Sequence, residues 1–457
     1  MATPRKVTVD LYSAANPPVL LDTDIPLTAG YWSEDDSDAG AAEVTVPEIG
    51  YAGKDLCIEG RLLRFNVAGA ADRTALVERV RVVVKANDRS ALLRTLQGRD
   101  WISEFDDALV DPPLGVASVP SVATVRFDWT HPDLDRTGWI TPTFTGSVYK
   151  GDAGPLPGGS ATPAAQQSKQ GQAPRGWPDP FTGWIWSSAT SGPPNYTHPI
   201  GTSYFYLPLQ FVASGSFSRG TNCKANTPFI PVFTGDDYAQ LAFDGALLDE
   251  GVQFPTIQWQ RCVASGLPNV SAGTHHIAIK CENAAQYGAT FNVGSIALCA
   301  FQPLTSTGFD YVNNVVIRTG LNVGTSDLTQ GGGPWKALDN PANPPGFTVG
   351  KAFRILLQKA QAQGALPGWT LGFTDANDSR GNAWPVTDGL TANVNETLLS
   401  VIKKWHDEGY WDVAARASSR TLDAWRWQER GNFYTNPASP LSWDDDNVAG
   451  LTVEGRR

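Results

Sequence analysis

The sequence predicts a mainly β protein with α+β parts, and three observations carry that expectation. Short segments that alternate apolar and polar residues recur through most of the chain, and a Gly- and Pro-rich background supplies the turns between them. Helical apolar spacing is confined to one stretch before residue 111 and two after residue 346. At 457 residues the chain is too long for one core, which implies two to four domains.

From the N terminus, Lys6 to Tyr12 and Glu43-Val-Thr-Val-Pro47 alternate as strands, followed by Leu62-Leu-Arg-Phe-Asn-Val67 and the long run Leu76 to Lys85. From Asp88 to Val110 the pattern turns helical: Ile102, Phe105 and Leu109 share one face with Asp and Glu between them, and Asp111-Pro112-Pro113 stops it. These elements make a first domain over 1–118.

A compact β-sandwich is expected over 119–303, inserted between flanks that belong together. Its clearest strands are Thr234-Gly-Asp-Asp-Tyr-Ala-Gln-Leu-Ala-Phe-Asp-Gly245, Ala272-Gly-Thr-His-His-Ile-Ala-Ile-Lys-Cys-Glu-Asn283 and Gly294-Ser-Ile-Ala-Leu-Cys-Ala-Phe301. Ile277, Ile279 and Cys281 share one face, and His276, Ala278, Lys280 and Glu282 the other. Asp244-Gly245 and Ala272-Gly273 carry turn chemistry. Tyr204 to Val212 reads as a strand whose Pro208 marks an edge or bulge, and 150–174 lacks apolar bulk and is expected as a mobile loop.

Residues 304–345 read as a return linker with one strand, Asn313 to Arg318. An α/β domain follows over 346–430. Its first helix has Thr348 at the N-cap, Gly364 past its end, and an apolar stripe of Val349, Phe353, Leu356, Leu357 and Ala360. Leu366 to Phe373 is a strand with a turn at Pro367-Gly368, and Asn395 to Gly409 a second helix. Tyr410 to Ala417 and Thr421 to Trp427 form a hairpin, and 431–457 is a C-terminal segment.

A formal charge of −11, a pI near 5.0 and the lack of any Lys/Arg cluster argue against a nucleic-acid binder. No apolar run approaches a membrane span. Met1-Ala-Thr-Pro-Arg-Lys6 leads straight into a strand, so no signal peptide is expected and the chain reads as soluble and cytosol-made. Five cysteines without short paired spacing read as buried thiols, although bridges among Cys223, Cys262, Cys281 and Cys299 are conceivable.

No chemical motif stands out, so no catalytic residue, metal site or cofactor is expected. None of the five histidines has metal-ligand spacing, and His275-His276 on a strand point to opposite faces. Gly331-Gly-Gly333 lacks the Lys-Ser/Thr of a phosphate loop, and no GxSxG elbow is present. Asp236-Asp237 and Asp444-Asp-Asp446 have the oxygen ligands for calcium, but solvated turns are the plainer reading. Aromatics lead further. Trp177, Trp184, Trp186 and Tyr196, with Tyr204 nearby, are candidates for stacking on sugar rings or anchoring a subunit, weighed against plain packing. Trp405, Trp411, Trp425 and Trp427 are expected to bury against the helices.

Two resemblances add to this. The strand order above, with the phrase Phe127-Asp-Trp-Thr-His-Pro-Asp-Leu-Asp-Arg-Thr-Gly-Trp139, resembles the galactose-binding-like jelly rolls attached to carbohydrate-active proteins. Leu96-Gln-Gly-Arg-Asp-Trp101, Ala108 to Gly115, Thr348 to Leu357, Gly364 to Asp375 and Asp378 to Trp384 resemble minor tail proteins of long-tailed actinobacterial phages. That resemblance implies a tail-tip or baseplate hub: β-barrel domains in a ring, interrupted by the jelly-roll sandwich, with a small two-helix α/β domain. It further implies a homotrimer assembled in the host cytoplasm and placed in the virion at the tail tip. Its partners would be itself, the distal tail protein, the tape measure and other tail-tip proteins, with a host cell-surface glycan as the sandwich's ligand. Related proteins commonly continue past a point such as 443–457, leaving open a truncated, processed or short member. The rival readings are a glycan-degrading enzyme, whose two carboxylates need leave no signature, and a stand-alone carbohydrate-binding adhesin.

Overall fold

The computed structural model describes residues 7–15, 17–33, 39–67, 73–84, 92–111, 124–144, 177, 184–187, 198–213, 223–249, 263–264, 266–284, 291–292, 294–302, 315–319, 335–340, 342–416 and 419–427. The expectations for the loop 150–174, Tyr196, Cys262, Gly331–Gly333, Asp444–Asp446 and the segment 431–457 lie outside them. The architecture is mainly β with a small helical part. Two compact units divide the chain: one takes 1–111, 348–385 and 395–457, the other 112–347 and 386–394.

In the first unit seven antiparallel strands run in the order Leu20–Asp22, Val7–Ser13, Arg61–Val67, Arg73–Val84, Leu92–Arg99, Ala41–Pro47, Ala29–Trp32. Alternation sends Val9, Leu11, Val44, Val46, Leu63, Phe65, Ala75, Val77 and Leu96 into one buried core. The two outermost strands are consecutive in sequence, joined only by residues 23–28. Such a link spans about 25 Å at most, less than the roughly 29 Å width of a flat seven-stranded sheet, so the sheet curls. Along the link Ile25 N–H donates to Val9 O (2.9 Å) and Thr28 N–H to Thr45 O (2.8 Å). The expected barrel is therefore corrected: among the described residues this connection, not strand pairing, spans the gap.

Leu92–Arg99, expected as helix, is a strand between Arg73–Val84 and Ala41–Pro47. Sheet pairing overrides its local propensity. A bulge at Glu78 brings the Leu76 carbonyl onto Gly98, where a Cβ would collide with it. The helix expected up to Val110 is only a 3-10 turn, Trp101–Asp107, capped by Asp100 on Ile102 N–H (2.9 Å). Ile102 and Phe105 are buried, but Leu109 is exposed and forms a bridge to Thr397.

The helices Val349–Ala362 and Leu398–Asp407 are capped by Thr348 and Thr397. Thr370–Leu371 is the short strand realised within 366–373, after a turn with positive φ at Leu366 and Gly368. Around Phe353 gather Phe105, Trp405 and Trp411. Trp405 and Trp411 are buried, whereas Trp427 is 44% exposed and does not bury as expected. Glu104 ties the early and late segments of this unit: it takes the Arg420 guanidinium in two 3.0 Å bonds and the Trp369 indole N–H at 2.7 Å.

The second unit is a sandwich. One sheet carries Cys223–Lys224, Gly201–Val212, Gly273–Asn283, Tyr238–Phe243 and Ala246–Asp249, with Lys336–Asp339 also on Gly201–Val212. The other carries Val263–Ala264, Ile230–Asp236, Ser295–Phe301, Ile185–Trp186 and Thr143–Phe144, with Val315–Arg318 also on Ser295–Phe301. Phe205, Leu207, Leu209, Phe211, Ile277, Ile279 and Cys281 share a core with Phe233, Ile296, Leu298 and Ala300. The return linker expected over 304–345 thus supplies two strands to this sandwich, not one strand between domains. Leu390–Asn393, expected within the α/β domain, pairs here with Thr124–Phe127. Cys57, Cys223, Cys281 and Cys299 are buried.

Candidate functional site

Trp184 immediately precedes the strand Ile185–Trp186, which is paired on both sides, and all three residues are buried. Trp186 meets Phe205 at 5.7 Å between ring centroids, and a Cβ at Gly294 would come within 2.8 Å of its indole. Trp177 is half-buried against Trp184 and Ala297. Sugar stacking needs an open ring face. Trp184 and Trp186 have none, so as glycan platforms they are corrected to core, and Tyr196 lies outside the described residues.

The polar groups converge instead on the outer face of the sheet built on Gly201–Val212 and Gly273–Asn283. Register places Tyr204 across from Lys280 and Lys280 across from Gln240, all on that face. Residues 128–140 cover part of it. Trp129 meets Tyr204 at 6.2 Å, Thr130 Oγ1 donates to Gly245 O (3.2 Å), and Ile140 bridges to Ala337.

Arg136 anchors the cover. Its guanidinium donates to the carbonyls of His131, Pro132 and Leu134 at 2.9–3.0 Å and lies 3.4 Å from the Tyr206 ring centroid. Burial weakens its hold on the proton, and the carbonyl dipoles and aromatic face stabilise the charge in return. Burial also pushes the Tyr206 phenol up to about 12, with the Arg136 charge pulling the other way. Tyr206 stacks with His276 at 5.2 Å and 17°.

Behind this stack lies a buried polar knot. Asp244, at positive φ (48°) in the turn before Gly245, accepts His276 N–H at 2.7 Å and contacts His275 Nδ1 at 2.5 Å. His275 Nε2 is 3.0 Å from Ser271 O. A carbonyl only accepts, so Nε2 carries the proton and donates. The pair has the parts of a catalytic dyad, yet its outer nitrogen is committed to backbone and its ring is fully buried. It fixes the Asp244-Gly245 turn to the neighbouring strand.

Glu282 is exposed, and Lys280, Gln240 and His276 are partly exposed. These groups suit hydrogen bonding to a polar ligand. Among the described residues no cluster of His, Cys, Asp and Glu is arranged to hold a metal ion. Asp237, weighed for calcium, accepts Ala284 N–H at 2.7 Å. Alternation already put His276, Lys280 and Glu282 on one face but did not mark it as a site, although further signals were present: the turn Asp244-Gly245, the pair His275-His276, and Arg136 within the phrase ending at Trp139.

No protein-family model matches the chain, and no curated protein matches it. Among solved structures it is similar to the tail protein from Neisseria meningitidis MC58, at 13% identity over 24% of this chain and 30% of that one, TM-score 0.16. It is also similar to the Pleurotus ostreatus lectin in its apo form, at 12% identity over 75% of this chain and 82% of that one, TM-score 0.24. A third likeness is to an α-L-rhamnosidase from Dictyoglumus thermophilum, at 9% identity over 75% and 26% of the two chains, TM-score 0.20. The chain spans under a third of the Neisseria tail protein's length. At such TM-scores these likenesses assign neither fold nor activity. No helix among the described residues is long and apolar enough to cross a membrane.

Proposed function

We propose that this chain is a non-enzymatic structural component of a phage tail tip, with the first unit as its assembly body and the sandwich serving host attachment. The observation that supports this best is the first unit's composition. The segments resembling minor tail proteins lie on both sides of the sandwich, and 1–111, 348–385 and 395–457 form one compact body. A folded insert costs little when its ends lie close together, since loop closure grows only logarithmically with length. In this reading the chain is a homotrimer at the tail tip of the virion, meeting the distal tail protein and the tape measure. A host surface glycan would meet the outer face carrying Gln240, Lys280 and Glu282, weakly per site and more strongly through repeated copies. The commitment of His275 to Asp244 and Ser271 supports the non-enzymatic part, because it leaves that pair no free base. Electron microscopy of tailed particles carrying an epitope-tagged copy tests the reading. Gold label at the tail tip is expected, and particles that never carry label would sink it.

A further inference from the structure

Besides the three-residue outer strand Leu20–Asp22, two edges of the first unit's sheet have no strand beside them among the described residues. One is Ala29–Trp32, paired only with Ala41–Pro47 and exposed at all four residues, with Tyr31 at 54% and Trp32 at 37%. The other belongs to Arg73–Val84. Arg61–Val67 pairs with it only as far as Leu76, so from Arg79 onward that side is bare, with Val82 54% and Val83 47% exposed. Natural sheets guard such edges with proline, lysine or short irregular strands. Ala29-Gly-Tyr-Trp32 and Val80-Arg-Val-Val-Val84 hold neither proline nor lysine.

The edges also match face by face. Trp32 lies across from Ala42 on the core side, its ring 5.3 Å from Phe65, and Tyr31 lies across from Glu43 on the outside. On the other edge the bulge at Glu78 resets the phase, so Val80 packs on the core and Arg79 and Arg81 face outward. Pairing the two edges sets Trp32 beside valines and Tyr31 beside arginines, an apolar face and a cation–π face. Charge agrees. Arg79 and Arg81 put two cations on one edge, and beyond Trp32 the other edge leads into Glu34-Asp-Asp-Ser-Asp38.

We propose that the Ala29–Trp32 edge of one copy docks on the Arg79–Val84 edge of a second copy, continuing one sheet into the next. The two surfaces differ, so the contact is head-to-tail and each copy keeps one edge for a further neighbour. The proposal rests on the assembly reading above and adds the contact that makes it.

Sedimentation velocity on the full chain tests it, with Tyr31→Lys, Val83→Lys and their equimolar mixture beside the wild type. The wild type is expected to associate as concentration rises, and each variant alone to stay monomeric. The mixture is expected to give a dimer, because each variant keeps the edge the other has lost. Circular dichroism and thermal melting establish that both variants fold, and Tyr31→Ser or Val83→Thr replaces one that does not. A monomeric wild type, association surviving in either variant, or a mixture of folded variants that stays monomeric overturns the proposal. An oligomer untouched by both substitutions removes this contact and leaves the assembly reading standing, whereas particles without label remove that reading whatever the sedimentation shows.

Discussion

Each unit must recapture its own chain after a long excursion, and each relies chiefly on a different part of the polypeptide to do so. In the first, side chains reinforce a short backbone bridge: beside Leu109–Thr397 and the bond from Leu398 N–H to Ala108 O (2.8 Å), Glu104 holds Arg420 and Trp369, and Phe105 packs on Trp369 at 4.5 Å and Phe353 at 5.9 Å. In the second, backbone makes the catch: Thr124–Phe127 forms an antiparallel ladder with Leu390–Asn393. A side-chain clasp concentrates its free energy in few atoms and fails at one substitution. A ladder distributes it over groups that every residue except proline carries.

The largest expected effect is at the clasp. Glu104→Ala leaves a guanidinium that is 12% exposed without its carboxylate, and an indole N–H without its acceptor. A loss of about 3 kcal/mol is expected for the first unit, read by urea unfolding. A loss below about 1 kcal/mol would show that the clasp is incidental to the catch.

Alkali is expected to act on cores rather than catches, and so on both units. Burial raises the thiols of Cys57 and Cys223, the latter to about 12, and raises the phenols of Tyr51, Tyr204 and Tyr206. Folding holds these protons more tightly than the unfolded chain does. Stability is therefore complete below the unfolded values, near 9 for thiols and 10 for phenols, and falls as pH rises beyond them. Thermal melts should drop from about pH 9 upward, and flat melting temperatures up to pH 11 would contradict this.

A smaller effect lies beside the clasp. Thr397 caps the helix Leu398–Asp407 and bonds Asp106 at 3.1 Å, so Thr397→Ala should cost the first unit about 1 kcal/mol by thermal unfolding. The smallest falls on the ladder. Thr124 Oγ1 meets Asn393 at 3.1 Å on an exposed surface, and Thr124→Ala should change the second unit's stability by less than about 0.5 kcal/mol. A cost equal to that at Glu104 would erase the contrast between side-chain and backbone capture.

Strands with one buried face were legible from the sequence because alternation reports burial directly: Ile277, Ile279 and Cys281 lie inward as their spacing implies. The first late helix was legible because Thr348 caps an apolar stripe; the second, expected over Asn395 to Gly409, starts at Leu398 behind its cap Thr397. Leu92–Arg99 was not, since Asp, Ser and Arg around it carry no strand preference and only the sheet on both sides decides. The 3-10 turn at Trp101 hid because Ile102 and Phe105, three apart, suit either helix type. Trp184 and Trp186 misled for a related reason: a tryptophan near turn residues looks the same whether its ring faces water or a second sheet. Glu104, Arg420 and Trp369 were invisible as a group, being more than 260 residues apart from clasp to catch.

The division of the chain also has a mechanical meaning. The strands Val7–Ser13 and Thr421–Arg426 both belong to the first unit, and the chain departs to the second and returns twice between them. Tension applied at those two strands is borne by the first unit while it holds, and the strands of the sandwich lie outside the loaded path. The sandwich would feel a pull only after the Glu104 clasp and its aromatic neighbours had given way, which makes the first unit a fuse that shields the second.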